Sequence, residues 1–134
     1  MASAVVLFLL SPATAQQPDA KNTLLSVPAQ SVTVADWYKQ SVYDPSNNKV
    51  GEVKDVLLTP DGRVSAVIIG VGGLLGIGEK DVAVPFASIA HSVRDGKVYL
   101  TMGATKEELK AASGLRYDRA TTTWVPDTDN KMTR

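Results

Sequence analysis

The chain has 134 residues, with 14 Lys and Arg against 14 Asp and Glu, no cysteine and a single histidine, His91. The balanced charge disfavours a nucleic-acid-binding protein, because such proteins bind phosphates through an excess of basic residues. Without cysteine, disulfide scaffolds, thiol nucleophiles and thiolate metal sites are excluded, and one histidine excludes a multi-histidine metal site. The length favours a single domain large enough to bury its own core.

The N-terminal residues have the order of an export signal. An apolar run over residues 4–10 is followed by the Ala-Thr-Ala of residues 13–15, a pattern that suits signal peptidase. The run is too short to cross a bilayer as a helix. No Lys or Arg precedes it, so either the start lies upstream or the signal is degenerate, and an apolar strand of a cytosolic protein is the alternative. We expect residues 1–15 to be a signal peptide, truncated if its start lies upstream, that directs the chain to the periplasm or to secretion.

Two segments of different composition follow the predicted signal peptide. Residues 16–31 combine Pro, Gln and Asn with little hydrophobic period, so we expect a linker there. Trp37, Tyr38 and Tyr43 then form an aromatic cluster in the sequence. Packing in a core is the simplest role for such a cluster, and a binding face is the alternative.

Turn motifs and β-branched runs divide residues 32–104 into short strands. The Thr-Pro-Asp-Gly of residues 59–62 and the Asp-Gly of residues 95–96 are typical of turns between antiparallel strands. No helical pattern separates the runs, so a parallel α/β sheet is disfavoured. The pattern therefore predicts an all-β domain, a barrel or a sandwich of five to six antiparallel strands. The expected strands are residues 38–43, 50–58, 64–71, 81–84, 92–94 and 97–102.

One short C-terminal helix is expected after the strands. The Thr-Lys-Glu-Glu of residues 105–108 is a capping box, in which the first and last side chains each bond the other's backbone amide. A narrow apolar stripe runs from Leu109 to Leu115, and a helix this short must pack on the sheet to be stable. We expect a helical extension over residues 105–116 and an irregular tail over residues 117–134.

Five glycines in residues 70–78 suggest a phosphate-binding loop. A Walker loop needs Gly-Lys-Ser/Thr at the start of a helix, and a dinucleotide-binding loop also leads into a helix. Here Glu-Lys-Asp and then a strand follow, so the segment is better explained as a long loop with positive-φ turns. Its apolar side chains Leu74, Leu75 and Ile77 are our candidate contacts for a partner.

The polar residues predict no catalytic, cofactor-binding or metal-binding site. Glu52 and Asp55 lie three apart on a strand and should face opposite sides, which makes a poor acid–base pair. Asp127 and Asp129 begin like a calcium loop but lack its sixth-position Gly and closing Glu. His91 follows the strand pattern without an orienting carboxylate that would make it catalytic. We therefore expect a protein that is not an enzyme and needs no cofactor.

The body of the chain resembles a PRC-barrel domain, and the glycine-rich loop followed by Val-Ala-Val-Pro is the most specific part. The resemblance covers residues 33–103, and the helix at residues 105–113 looks like the C-terminal extension of exported bacterial members. It implies a small PRC-type β-barrel used for protein contacts, with no family-wide catalytic residue. The family is named from the photosynthetic reaction-centre H subunit. The matching segments are residues 40–44, 50–58, 61–64 and 66–86.

These observations favour a non-enzymatic module exported to the bacterial periplasm or envelope. Its partner would be another protein or a second copy of the chain, contacted through Leu74, Leu75 and Ile77 or through an exposed strand edge. One alternative is a membrane-associated assembly factor resembling the reaction-centre H subunit, which requires a longer or uncleaved N-terminus. Another is a small-ligand-binding barrel. Neither a nucleic-acid partner nor a cofactor is expected.

Overall fold

The computed structural model describes residues 22–72 and 78–128. The predicted signal peptide and the candidate contacts Leu74, Leu75 and Ile77 lie outside the described residues. The chain divides into an N-terminal unit that ends at Val32 and a C-terminal unit that begins at Thr33. In the N-terminal unit, residues 22–32 contain turns but neither helix nor extended strand.

The C-terminal unit begins with a single helical turn, α1 (Val34–Trp37), just before the first predicted strand, at a place where the sequence predicted no element. Thr33 caps this turn, because its side chain accepts a hydrogen bond from the backbone N–H of Asp36 at 3.3 Å. Tyr38 ends the turn in an extended conformation. The first strand is consequently shorter than predicted and spans only Ser41–Tyr43.

Eight strands form one mixed sheet. Six of them lie within residues 32–104, where five to six strands were predicted, and the other two lie in the C-terminal residues, where none was predicted. Their order is β5-β6-β1-β2-β3-β4-β7-β8, and all neighbours are antiparallel except β1 and β6, which are parallel. Within the described residues no pairing joins β5 to β8, so backbone hydrogen bonds do not close the predicted barrel. The strands are β1 (Ser41–Tyr43), β2 (Lys49–Leu58), β3 (Val64–Val71), β4 (Lys80–Pro85), β5 (Ile89–Arg94), β6 (Lys97–Met102), β7 (Leu115–Asp118) and β8 (Thr123–Pro126).

Both predicted hairpin turns are confirmed. Gly62 has φ +87°, and its N–H donates to the carbonyl of Thr59 at 2.9 Å to close the β2–β3 turn. Asp95 and Gly96 have φ +51° and +74°, the paired positive values that a two-residue turn between twisted strands requires. These turns set the registers of β2 with β3 and of β5 with β6.

One face of the sheet carries the hydrophobic core. Alternate side chains of β1 to β4 and β6 point into it, and the short helix α2 (Lys106–Ala111) covers part of it through buried Leu109. Trp37 enters the core from α1 and stacks on Phe86, with ring centroids 4.8 Å apart. The fully buried aliphatic side chains of this core include Val42, Val53, Val67, Ile69, Val71, Val82 and Leu100.

Helix α2 begins as predicted and ends early. Both hydrogen bonds of the capping box are present, between Thr105 and Glu108. The helix stops at Ala111 because Ala112 adopts an extended backbone with ψ 159°. Leu115, predicted to lie on the apolar helix face, is instead the first residue of β7.

The C-terminal residues form a hairpin, which corrects the predicted irregular tail over 117–134. Strands β7 and β8 pair antiparallel, and β7 joins the sheet where Leu115 pairs with Asp81 of β4. The loop between them is closed by Asp118, whose carboxylate accepts hydrogen bonds from the hydroxyl of Thr121 and the N–H of Ala120. These two bonds lower the pKa of Asp118.

Candidate functional site

An open cleft of about 530 Å³ lies against β5, β6 and the loop between β1 and β2, mostly on the face opposite the core. Along β6, Leu100 and Met102 are buried in the core, so Tyr99 and Thr101 point the other way. On β5, Ala90 pairs with Thr101 and shares that face. The cleft is lined by Asp44, Pro45, Asn47, Ser88, Ala90, Arg94, Tyr99, Thr101, Met102 and Gly103.

Tyr99 is held in place on this surface from two sides. Its ring stacks on Tyr43 of β1, with centroids 5.0 Å apart and planes inclined by 8°. Its hydroxyl donates a hydrogen bond to Oδ1 of Asn47 in the β1–β2 loop. That loop is itself ordered, because Asp44 accepts the backbone N–H of Asn48 at 2.9 Å and Asn47 adopts φ +65°. The stacked rings of Tyr43 and Tyr99 and the β1–β2 loop are therefore held in place before any ligand binds.

Arg94 lies across the face of Tyr99 at the end of β5. Its guanidinium carbon is 3.9 Å from the ring centroid, within the range of a cation–π contact. Among residues 22–72 and 78–128, the guanidinium has no hydrogen-bond acceptor and no ion-pair partner. Stacking on Tyr99 therefore fixes the plane of the Arg94 guanidinium, and its N–H donors face solvent.

A second polar cluster lies where the glycine-rich segment leads into β4. The ammonium of Lys54 is 3.2 Å from the Glu79 carboxylate and 3.0 Å from that of Asp81. Burial alone would lower the pKa of Lys54, but its hydrogen bonds to Asp81 and Glu79 outweigh this effect and raise it. Glu79 lies over Gly70, where a Cβ would collide with its carboxylate. These contacts fix Glu79, which directly follows the glycine-rich residues 70–78.

The free edge of β5 adjoins the cleft. Within the described part of the chain, β5 pairs only with β6, and all its residues after Ile89 are exposed. Val93 is 62 % exposed despite its apolar side chain. The opposite edge, β8, has four residues and ends at Pro126, which has no N–H to donate. The β5 edge is therefore the better template for a further strand.

The polar residues considered from sequence are not brought together. A bulge at Lys54 places Glu52 opposite Gly70 and Asp55 opposite Ile68, so the two acids share a face, contrary to expectation. They have separate partners, since Glu52 pairs with Lys49 at 3.7 Å and Asp55 accepts from Trp124.

His91 and the aromatic cluster also separate in the fold. His91 is exposed on the edge strand β5, with its ring 6.2 Å from that of Trp37. Trp37 belongs to the core and Tyr43 supports the cleft, whereas Tyr38 is 53 % exposed. Asp129 lies outside the described residues.

Sequence reasoning missed Arg94, Tyr99 and Asn47. A signal for the first two was present, because the Asp95-Gly96 turn fixes the register in which Ser92 pairs with Tyr99. Residues two apart on β5 share a face, so Arg94 had to lie on the same face as Tyr99. No comparable signal existed for Asn47, whose position depends on the β1–β2 loop.

Two features are absent from residues 22–72 and 78–128. No group of three or more His, Asp or Glu side chains there is arranged to hold a metal ion. No helix over the same residues is both long and apolar enough to cross a membrane.

Comparison with known proteins identifies the family. Residues 30–109, more than half of the chain, match the PRC-barrel domain. Over 95 residues, 70% of this chain, the sequence is 33% identical to an uncharacterized protein of Deinococcus radiodurans. The matched region spans only 33% of the length of that relative. The match confirms the resemblance seen in the sequence, and the chain belongs to the PRC-barrel domain family.

Proposed function

We propose that the protein is a non-enzymatic binding module that contacts another protein through the free edge of β5. The unpaired β5 edge, six residues long and exposed from Ala90 to its end, is the observation that carries this proposal. An exposed strand presents a row of N–H and C=O groups that a segment of another chain can pair with. Exposed Val93 adds apolar area to the same edge.

The proposed site of action is the periplasm or envelope of a bacterium. Support comes from the sequence, in which the apolar run at residues 4–10 precedes Ala-Thr-Ala and then a polar stretch. The loop residues Leu74, Leu75 and Ile77 are proposed as a second contact, because the Lys54 cluster anchors the chain directly after them. A second copy of the chain is one candidate partner.

Two alternatives predict different partners. A small-ligand-binding protein is the alternative consistent with the volume of the cleft, since about 530 Å³ falls in the range of small-molecule sites. A membrane-associated assembly factor like the reaction-centre H subunit would need an N-terminal anchor beyond the apolar run at residues 4–10.

Site-specific photo-cross-linking in cells tests the binding module. A photoreactive p-benzoylphenylalanine is placed at Val93 in the full-length chain. The matched control places it at Leu58, which is equally exposed at 62 % but lies at the β2–β3 turn. A third position, Leu75, tests the loop. We expect one reproducible protein adduct from Val93 and none from Leu58.

The pattern of adducts decides between contact surfaces. Adducts from Leu75 alone would assign partner binding to the loop and contradict a contact at the β5 edge. Equal adducts from Val93 and Leu58 would show nonspecific collision and reject a defined edge contact. The intact mass of the protein in the periplasmic fraction tests export, because cleavage after Ala15 leaves a chain that begins at Gln16.

A further inference from the structure

We propose that the cleft beside β5 binds a carboxylate side chain of an extended partner segment, with the Arg94 guanidinium as its ligand. This inference rests on the proposed function, because it requires a strand paired to the β5 edge. It adds the chemistry of the partner, an acidic side chain on the strand that pairs with β5.

The stacked Arg94 guanidinium is oriented to receive a carboxylate. A guanidinium stacked on an aromatic ring keeps its N–H donors in one plane, and this geometry matches the two oxygens of a carboxylate. Tyr99 supplies the ring at 3.9 Å, and Tyr43 and Asn47 hold Tyr99 in turn. Since the guanidinium has no acceptor among the described residues, a bound carboxylate would displace only water.

Arg94 carries the unpaired hydrogen-bond donors among the charged residues at the cleft. Lys97 is the cross-strand partner of Arg94, and Asp95 in the turn between them balances its charge. The other charged residue of the lining, Asp44, already accepts hydrogen bonds from both the backbone N–H and the side-chain amide of Asn48. Because the Asp44 carboxylate is already hydrogen-bonded, the free N–H donors of Arg94 favour a negatively charged ligand.

The register explains how an added strand would reach Arg94. A strand paired to β5 places every second side chain on the cleft face, with Cβ atoms about 5 Å from the β5 residues opposite. Ala90 is small, so a side chain opposite it can lean into the cleft. A glutamate beside Arg94 can extend its carboxylate to the guanidinium without leaving the strand.

The shape of the cleft favours a protein segment over a small molecule. Met102 is the only buried residue of its lining, and the others are partly or fully exposed. Small-molecule sites bury most of the ligand surface, about 70–90%. An open groove next to a free strand edge better fits a side chain that the paired backbone holds in place.

Titration of the ¹⁵N-labelled full-length chain with defined peptides tests the proposal by NMR. The probe is a seven-residue peptide of alternating Thr and Glu with both termini blocked, and the matched peptide has Gln at every Glu position. The variant Arg94→Gln removes the charge, and Arg63→Gln is the control, because Arg63 is a surface arginine in the β2–β3 turn paired with Asp61. Acetate alone is titrated as a small-anion probe.

We expect the Glu peptide to shift the β5 amides and the Arg94 Nε–H resonance. Its affinity should fall about fivefold in Arg94→Gln and about fivefold for the Gln peptide, as for one partly exposed charge-assisted contact. Arg63→Gln should bind like the parent chain.

Three results would overturn the proposal. Equal binding of the Glu and Gln peptides, with the β5 amides still shifted, would reject carboxylate recognition but leave strand pairing at β5 intact. Shifts away from β5, or no saturable shift with either peptide, would reject both this inference and the β5 contact. Saturation by acetate as tight as by the peptide would assign the cleft to small anions instead.

Discussion

The indole Nε1 of Trp124 on β8 donates a hydrogen bond to Oδ2 of Asp55 on β2 at 2.8 Å, although β3, β4 and β7 lie between these strands in the sheet order. The sheet must therefore curl strongly at this end. Asp55 is the cross-strand partner of Ile68, which is fully buried yet does not belong to the core cluster on the other face. The Trp124–Asp55 hydrogen bond thus ties the C-terminal hairpin to the face of the sheet that carries Ile68.

The Trp124 contact predicts a stability effect of the C-terminal hairpin. Trp124→Phe keeps an aromatic ring but removes the donor to Asp55, so it should cost about 1 kcal/mol of unfolding free energy. Trp124→Ala should cost more, about 2–3 kcal/mol, because the half-buried ring is lost as well. Urea unfolding followed by far-UV circular dichroism measures both. Tyr117→Phe is the control, because it keeps the ring that packs edge-on against Trp124 and removes only a hydroxyl. Equal stability of Trp124→Phe and the parent chain would contradict the contact.

The raised pKa of Lys54 predicts a stability change at alkaline pH. A cation whose pKa is higher in the folded than in the unfolded chain stabilises the fold fully below the unfolded value, here 10.5. That stability is lost as pH rises through the folded pKa. The difference in unfolding free energy between the parent and Lys54→Met should therefore be constant near neutral pH and shrink above pH 10.5.

Comparison with a more exposed lysine isolates this effect. The Lys54 side chain is 37% exposed, so solvent screening keeps its contribution at neutral pH to about 1 kcal/mol. Lys49→Met removes a lysine that is 52% exposed and pairs with Glu52 at 3.7 Å, and it should show a smaller difference. Parallel alkaline profiles for the two variants would refute the role given to Lys54.

Close packing of β2 against β3 predicts that Gly51 tolerates no side chain. A Cβ there would lie 2.5 Å from Cγ2 of Ile69 and 2.6 Å from the carbonyl oxygen of Gly70. Since one of these atoms is backbone, Gly51→Ala should cost about 2–3 kcal/mol. At Gly103 an added Cβ meets nothing within 4 Å, so Gly103→Ala is the matched control. Thermal unfolding of both variants checks this, and similar melting temperatures would be inconsistent with the packing.

The capping box predicts a local effect on α2. Thr105→Ala removes the acceptor for the N–H of Glu108 and should cost about 1 kcal/mol, whereas Thr105→Ser should retain the cap. Hydrogen exchange of the α2 amides, read by NMR, should be faster in the alanine variant alone. Leu109 anchors the helix in the core, so we expect the helix to fray at its start and remain docked.

Much of the candidate site could not be predicted from sequence. The Asp95-Gly96 turn and strand alternation were sufficient to place Arg94 and Tyr99 on one face. Stacking of Tyr43 on Tyr99 needs the parallel pairing of β1 with β6, which joins residues more than fifty positions apart. No local pattern encodes such a pairing.

Local chemistry in the sequence was enough to determine the β2–β3 and β5–β6 hairpins, the start of α2 and the family. Each of these depends on residues close in the chain, where a turn glycine or a capping side chain acts directly on its neighbours' backbone. Only the tertiary structure decided that the C-terminal residues form β7 and β8 and that Trp124 reaches Asp55. Strands this short have little stability alone, so they form where the rest of the sheet provides a partner and a surface to cover.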